Sequence, residues 1–360
     1  MKTNDYTYEL PRGLIAQEPC RRRQDSRLLV LRRDGSMQHR HFDGLIDYLN
    51  DGDLLILNDT KVIPVRLTAT DEGGRVRDII IVREIEGHAY QILSKGRYTG
   101  RIQIADDFYA DVSSGSMAVF YGSDGVLSGS ALSDRLLQIG QMPLPPYIER
   151  PPSDQVRPGA EKNCKERIRL AEMDKERYQT VYARHPGSIA APTAGLHFTE
   201  GILDAIRDRG VCIKTITLDV GIGTFRPIKT DDLLAHKMDE EHFEIDTHLR
   251  ELILQVKGRG NRVIVVGTTT TRAVEAYMAG WYRLTQCANG RLKAATDIFI
   301  TPGFDFKAAD ALLTNLHMPR STTLVLACTF AGRQHILNAY REAVAREYRF
   351  LSYGDAMLII

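Results

Sequence analysis

The sequence predicts an α/β domain with a largely parallel sheet, joined to a small β-rich body. Three observations carry this. After residue 185, apolar runs such as VCIKTITL and RVIVVG alternate with amphipathic stretches such as GILDAIRDRG and HLRELILQVKGRG. Between residues 66 and 140 the pattern changes to short β-rich runs divided by Gly, Asp and Ser turns. A proline-rich crossing, QMPLPPYIERPP, then reads as a domain boundary.

The chain has 360 residues, of which 43% are hydrophobic, enough for a buried core and for two domains. Charged residues at 26% and aromatics at 8% are ordinary for a globular protein. No apolar run is long enough to span a bilayer, and MKTNDYTYELPRGL lacks the apolar centre of a signal peptide, so a cytoplasmic protein is expected. Cys20, Cys164, Cys212, Cys287 and Cys328 form no CxxC pair, which argues against a zinc framework or a disulfide scaffold. A formal net charge of +1 excludes general attraction to nucleic acid. Any RNA contact must come from a local patch: Arg21 to Arg23, Arg32 and Arg33, or the 162–177 stretch. For each patch alone, a solvated face is the simpler reading.

Taken in order, LLVL at Leu28 to Leu31 reads as a buried strand followed by a turn at Asp34-Gly35. DLLILNDTKVIPVRL contains a second buried strand, Leu54 to Leu57, which delivers Asn58, Asp59 and Thr60 at its C-terminal end. Open α/β sheets place ligands at such ends. An Asx turn closing a hairpin explains the same residues equally well. IIIV at Ile79, QIL at Gln91 and MAVFY at Met117 suit a small antiparallel barrel or sandwich. Residues 153–175 read as an exposed, charged helix with only Ile168, Leu170 and Met173 apolar. GILDAIRDRG is a helix with Thr199 as N-cap and Gly210 as its stop. VCIKTITL follows as a strand, then a Gly-bearing loop at 221–227 and a helix ending at Gly258 or Gly260. RVIVVG is a buried strand of the parallel type, and TTTTRAVEAYMAG starts a helix directly after it. TTLVLACTFAG and QHILNAYREAVAREY complete the chain, which shows no internal repeat and no low-complexity tract.

Chemistry can sit at few places. The hydroxyls of Thr268 to Thr271 and the first N–H groups of their helix suit a carboxylate or phosphate. A plain threonine cap is the bland alternative. There is no P-loop, and VGIGTF lacks the third glycine of a dinucleotide fingerprint. In PTAGLHF, Pro192 fixes the backbone, Thr193 offers a hydroxyl, and Ala194 and Gly195 permit close approach of a flat ligand. His197 sits there beside Phe198. A lone histidine is more often a hydrogen-bonded core residue, but the small residues around this one favour a function. TNLHMPRSTT places His317 just before Pro319 and a helix starting near Ser321, and SYGDAMLI places Asp355 at a turn into a strand. Turn chemistry alone accounts for both. No cluster has metal-ligand spacing, and there is no nucleophile signature.

Together and in order, YELPRGLIAQEP, SRLLVL, DLLILNDTKVIPVRL, MPLPPYIER, YQTVYA, APTAGLHFT, GTFRPI, GNRVIVVGTT, DALLTN, FAG and YRFLSYGDAM resemble the S-adenosylmethionine:tRNA ribosyltransferase-isomerase family of queuosine biosynthesis. The resemblance covers nearly the whole chain. It implies a discontinuous α/β domain, residues 1–65 and 146–360, with a small Greek-key β-barrel at 66–145 inserted in it. It also implies S-adenosylmethionine as co-substrate, donating its ribosyl group to 7-aminomethyl-7-deazaguanine at the tRNA wobble position. Epoxyqueuosine-tRNA, adenine and methionine would be the products, with the tRNA anticodon loop as partner and no metal. No heptad is visible, so a monomer is expected.

That reaction needs a base to take a proton from C5′ beside the sulfonium and an acid to help adenine leave. The resemblance offers Asp59, His197, His317 and Asp355 for these steps, without saying which does which. It suggests Thr268, Thr269 and Arg272 for the methionine carboxylate, and Asn58, Thr193 and Gly223 for the walls. Thr60, Arg66, Ala194, Gly195, Phe198, Asp219, Gly221 and Thr224 complete the expected binding set. The chain departs from the family in placing Asp219 and Asp239 where histidines are common, and Arg77, beside Asp78, where a glutamate is common. Thr270 and Thr271 are a further departure, and the charged helix is longer than the usual linker. The two aspartates replace pH-switchable groups by carboxylates that are normally ionised. Two other readings therefore stay open: a relative with a different amine acceptor, and a catalytically silent tRNA-binding protein.

Overall fold

Leu54–Asn58, buried along its whole length, runs near the middle of a ten-stranded sheet in the computed structural model, which describes residues 1–151, 161–221 and 227–360. The strand order is Arg283–Ala288, Arg291–Thr296, Glu241–Asp246, Cys212–Leu218, Leu54–Asn58, Val263–Val266, Ala311–Asn315, Ala356–Ile359, Arg27–Leu31 and Met37–His41. The four from Cys212–Leu218 to Ala311–Asn315 are mutually parallel. Ala356–Ile359 runs antiparallel to Ala311–Asn315 and parallel to Arg27–Leu31. The other neighbours pair antiparallel. The sheet is therefore mixed, and the expectation of a largely parallel one holds for those four strands and for the Ala356–Ile359 and Arg27–Leu31 pair. The reason is visible in Glu241–Asp246, where buried and open residues alternate. A strand covered on one face lacks the continuous apolar run that marks a parallel strand.

Alternation along the central strands feeds two cores. Leu54, Ile56, Val263 and Val265 pack with Ile253 and Val274 from the helices Leu249–Gly258 and Thr268–Ala279. Leu55, Leu57 and Ile264 pack on the opposite face with Phe198, Ile202 and Ile206. Each such side chain contributes about 1.5–3 kcal/mol through burial. The helix Glu200–Asp208 starts as expected: Thr199 Oγ1 accepts the Ile202 N–H at 3.2 Å. It ends at Gly210, whose φ of +81° favours glycine and where a Cβ would lie 2.0 Å from Asp51 Oδ1. At one margin of the sheet, Arg283–Ala288 is open to solvent along its length, and an irregularity between Leu284 and Gln286 leaves Thr285 unmatched.

The chain divides into two compact units: Met1–Lys61 with Pro145–Ile148 and Gln179–Ile360, and Val62–Leu144 with Glu149–Tyr178. In the second unit, Arg66–Asp71, Val76–Glu84 and Ala89–Ser94 form a meander. Gly100–Ala105 returns beside the first of these strands, which is the Greek-key order. Phe108–Ser113 and Met117–Gly122 continue the sheet, and the latter pairs back onto Ala89–Ser94, closing a six-stranded antiparallel barrel. Ile79, Ile81, Ile92, Ile102, Phe108 and Phe120 are buried there. The charged helix, Glu161–Arg177, exposes Ile168 but buries Leu170 and Asp174. Asp174 accepts two hydrogen bonds from Arg150, each 2.7 Å, so this helix has an inner face with its own ion pair. Among the described residues no helix is long and apolar enough to cross a membrane.

Candidate functional site

A pocket of about 690 Å³ opens in the first unit. Its walls come from strand ends. Gly267, Thr268 and Thr269 follow Val263–Val266, and Thr314 and Asn315 close Ala311–Asn315. These are C-terminal ends of parallel strands, where the crossover helices leave a crevice. Thr193 and Ala194 of the PTAGLHF segment form a second wall, and Tyr147, His317 and Ser352 a third.

Directed hydrogen bonds organise the second wall. Thr193 Oγ1 donates to Asn315 Oδ1 at 2.7 Å, which leaves Asn315 Nδ2 to donate to His197 Nε2 at 3.4 Å. An amide nitrogen can only donate, so Nε2 accepts and the ring proton sits on Nδ1. Nδ1 meets Ser26 Oγ at 2.8 Å, and that hydroxyl donates to the Arg23 carbonyl at 2.9 Å. His197 is 3% exposed and lies behind the wall, with Phe42 5.0 Å from its ring.

His317 reaches the pocket itself. Thr314 Oγ1 lies 2.8 Å from Nε2, and the His317 N–H donates to Tyr340 Oη at 2.9 Å. Tyr8 Oη donates to the His317 carbonyl. Burial pushes the imidazole pKa down to about 3, so the ring is neutral near pH 7. Tyr147 Oη is 2.7 Å from Ser352 Oγ, and burial raises the pKa of this phenol.

Of the expected site residues, the pocket brings together Thr193, Ala194, Thr268, Thr269 and His317. Arg272 is buried in an adjoining chamber. The others stand elsewhere. Asn58 Oδ1 accepts the N–H groups of Thr60 at 3.1 Å and Leu218 at 3.0 Å, an Asx turn placed at a strand's C-terminal end. Asp59 accepts from Thr217 Oγ1 at 2.8 Å and has His185 Nε2 at 3.8 Å. Thr60 Oγ1 donates to Asp219 Oδ1 at 3.4 Å. Asp219 keeps an open surface, yet the atoms crowded around its carboxylate raise its pKa by desolvation. Gly195 admits protein and not ligand: a Cβ there would lie 2.0 Å from Tyr182 Oη. Phe198 is a core residue packed edge-on against Phe42 at 5.1 Å.

Asp355 is 1% exposed and accepts from the N–H groups of Arg27 and Arg349, each at 2.8 Å. It holds the turn that presents Leu351 and Ser352 to the pocket. Gly221 is half-buried with open space where a Cβ would stand. Gly223 and Thr224 lie outside the described residues. Arg66 belongs to the second unit, where Asp78 accepts from it at 2.9 and 2.6 Å. Arg77, in the same unit, pairs with Asp71 at 2.8 Å and caps the Tyr98 ring at 4.5 Å. Asp239 is exposed. Thr270 and Thr271 are fully buried, the latter donating to the Gly267 carbonyl at 2.9 Å. Among the described residues no group of three or more His, Cys, Asp or Glu side chains is placed to hold a metal ion.

Asn315, Tyr147 and Ser352 escaped the residue-by-residue reading. The strand-end rule that pointed to Asn58 applies equally to DALLTN, and it would have found Thr314 and Asn315.

The family described as Queuosine biosynthesis protein matches residues 3–359. An S-adenosylmethionine:tRNA ribosyltransferase-isomerase of Thermodesulfovibrio yellowstonii is 45% identical over 368 aligned positions, covering 100% of both chains. The protein of that name from Staphylococcus saprophyticus is 43% identical, again with 100% of both covered. The crystal structure of S-adenosylmethionine tRNA ribosyltransferase from Thermotoga maritima is similar with a TM-score of 0.52 and 30% identity, covering 99% of this chain and 100% of that one. A match that runs from Thr3 to Ile359, with full-length relatives at 43% and 45% identity, places the chain in the queuosine biosynthesis protein family.

Proposed function

We propose that this chain is an S-adenosylmethionine:tRNA ribosyltransferase-isomerase. It moves the ribosyl group of S-adenosylmethionine to the aminomethyl group of 7-aminomethyl-7-deazaguanine at the tRNA wobble position and rearranges it, releasing adenine and methionine and leaving epoxyqueuosine. Its macromolecular partner is the tRNA anticodon loop. The observation that carries this reading is the pocket at the ends of the parallel strands. It is walled by Thr193 and Asn315, from segments that resemble the family, and by His317, in a chain whose full-length relatives bear that enzyme's name.

A neutral His317 suits a cationic donor, because an imidazolium there would repel the sulfonium. As a neutral ring hydrogen-bonded to Thr314 it is a polar contact for the donor, while the C5′ proton and the proton for adenine pass through a base and an acid of the site. Asn315 holds a donor hydroxyl or ring nitrogen, with its amide turned by His197 and Thr193. His197, Asp59 and Asp355 are positioning residues that act through the segments they tie down. Asp219 and Asp239 are not among the residues lining the pocket, which supports the ordinary acceptor over a different amine.

The test is adenine release. Wild-type protein with S-adenosylmethionine and tRNA carrying 7-aminomethyl-7-deazaguanine should release adenine, and should release none without that tRNA. A protein that binds the donor yet releases no adenine with this tRNA has another acceptor.

A further inference from the structure

The turn after Phe350 is held against the pocket under strain. Leu351 has a φ of +71°, in the left-handed region, which costs a branched residue about 1–3 kcal/mol. The surrounding contacts over-determine it. The Leu351 N–H donates to the Leu316 carbonyl at 3.0 Å, and Asp355 accepts the N–H groups of Arg27 and Arg349, each at 2.8 Å. Gly354 packs so closely that a Cβ there would lie 2.4 Å from the Arg349 carbonyl oxygen. Backbone strain maintained in this way clusters at working sites. What this turn delivers to the pocket is Leu351 and the hydroxyl of Ser352.

Tyr147 meets that hydroxyl from another segment. In PLPPYIER the Ile148 N–H donates to the Pro145 carbonyl at 3.0 Å, and Gln17 Nε2 donates to the Tyr147 carbonyl at 2.9 Å. Tyr147 Oη lies 2.7 Å from Ser352 Oγ. Burial raises the phenol pKa, so the phenol keeps its proton throughout the neutral range. The Ser352 backbone N–H also acts on the phenol oxygen. With Oη accepting there, the phenol proton is the one placed between the two hydroxyls, and the serine proton is left for the pocket. A hydroxyl that accepts from one neighbour donates more strongly to the next.

A hydroxyl fixed as a donor suits an atom that only accepts. The ribose hydroxyls of S-adenosylmethionine donate as well as accept, whereas N1, N3 and N7 of its adenine only accept. The Tyr147 ring and Leu351, on either side of Ser352 in sequence or contact, give the apolar flank that a flat purine fits. These nitrogens also change during the reaction. As the C1′–N9 bond breaks, its electron pair passes into the purine, and each ring nitrogen becomes a better acceptor. A hydrogen-bond donor already in place then holds the departing ring more tightly than the intact nucleoside, which lowers the barrier.

We infer that the Ser352 hydroxyl, oriented by Tyr147, is the hydrogen-bond donor to a ring nitrogen of the departing adenine. Ser352 is thus a catalytic residue and Tyr147 a positioning one. No proton leaves the serine; the proton that neutralises the freed adenine comes from the acid of the site. The inference rests on the ribosyl donor proposed above.

The test compares S-adenosylmethionine with its 1-deaza, 3-deaza and 7-deaza adenine forms, each lacking one acceptor nitrogen. Adenine or deazaadenine release is followed with tRNA carrying 7-aminomethyl-7-deazaguanine. With the natural donor, Ser352→Ala should lower kcat roughly ten- to a hundredfold and leave KM within about twofold. With one of the three deaza donors the same substitution should cost no more than about twofold, because the nitrogen it served is gone. Tyr147→Phe should show the same dependence on the donor with a smaller loss. Comparing donors within one variant removes any effect of the folded fraction. An equal loss of kcat with all four donors overturns the contact, since the serine then acts through the turn alone. A change confined to KM overturns the catalytic role. Release from no donor by the wild-type protein overturns the proposed function, and this contact with it.

Discussion

Asn315 Nδ2 donates to His197 Nε2 across 3.4 Å, and this one bond ties the pocket wall to a histidine that never reaches the pocket. The ring is thereby fixed as the Nδ1–H tautomer, and Ser26 receives that proton at 2.8 Å. His197→Ala removes both contacts and opens a buried void, at a cost of about 2–4 kcal/mol. The informative readout is kinetic. KM for S-adenosylmethionine should rise more than kcat falls, because Asn315 loses its orientation while His317 is untouched. His197→Asn should recover part of the KM. A loss confined to kcat would mean that His197 meets the reacting atoms.

His317 predicts a pH dependence of stability. Its pKa falls from the ordinary 6.5 to about 3 on folding. The unfolded chain therefore binds the proton first as pH drops, so the contribution of this group is complete above pH 6.5 and is lost progressively as pH falls toward 3. The slope is at most about 1.4 kcal/mol per pH unit in that window. Urea unfolding at pH 7 and pH 5 should show wild type losing about 2 kcal/mol more than His317→Gln. Equal losses would mean that the ring is hydrated in the native state.

Gly195 and Tyr182 should be energetically coupled. A Cβ on residue 195 would stand 2.0 Å from Tyr182 Oη, and that buried hydroxyl has no hydrogen-bond partner among the described residues. Gly195→Ala should destabilise by about 1–3 kcal/mol through overpacking. Tyr182→Phe should be near neutral, because it removes a polar atom already left unpaired. The double variant should regain much of the loss. Strict additivity in thermal melts would show that the backbone, and not the tyrosine, yields.

Asp355→Ala leaves the N–H groups of Arg27 and Arg349 without their acceptor and removes one of the partners of the Arg27 guanidinium. The expected loss is about 2–4 kcal/mol, mainly from the two N–H groups left unpaired. Because the same turn carries Ser352 against Tyr147 at 2.7 Å, activity at low temperature should fall even where the variant remains folded. Full activity in a folded Asp355→Ala would detach this turn from the site.

These cases also mark what a sequence alone reveals. The buried strands Leu54–Asn58 and Val263–Val266 and the cap at Thr199 were legible because they depend on local composition and spacing. The titratable candidates could not be ranked from the sequence, for a physical reason. Asp59, His197 and Asp355 sit at strand ends and turns, as an active residue would, but their partners come from distant segments: Thr217, Asn315 and Arg27. Nothing local separates an aspartate that clamps a turn from one that meets a substrate. Asn315 was hidden by the reverse effect, a plain amide in a buried strand whose importance comes from Thr193 and His197, each more than a hundred residues away.

The unmatched Thr285 at the margin of the large sheet bears on solubility. The six barrel strands of the second unit close on themselves, leaving only the three-residue strand Gly125–Leu127 at a margin. The large sheet has two outer strands, Met37–His41 and Arg283–Ala288, and every residue of the latter is in solvent. A flat outer strand is a template on which a second chain can add its own. Thr285 interrupts that template: the extra residue kinks the strand, and its hydroxyl folds back onto the Lys293 carbonyl at 2.9 Å. The irregularity makes that margin a poorer template for a second chain.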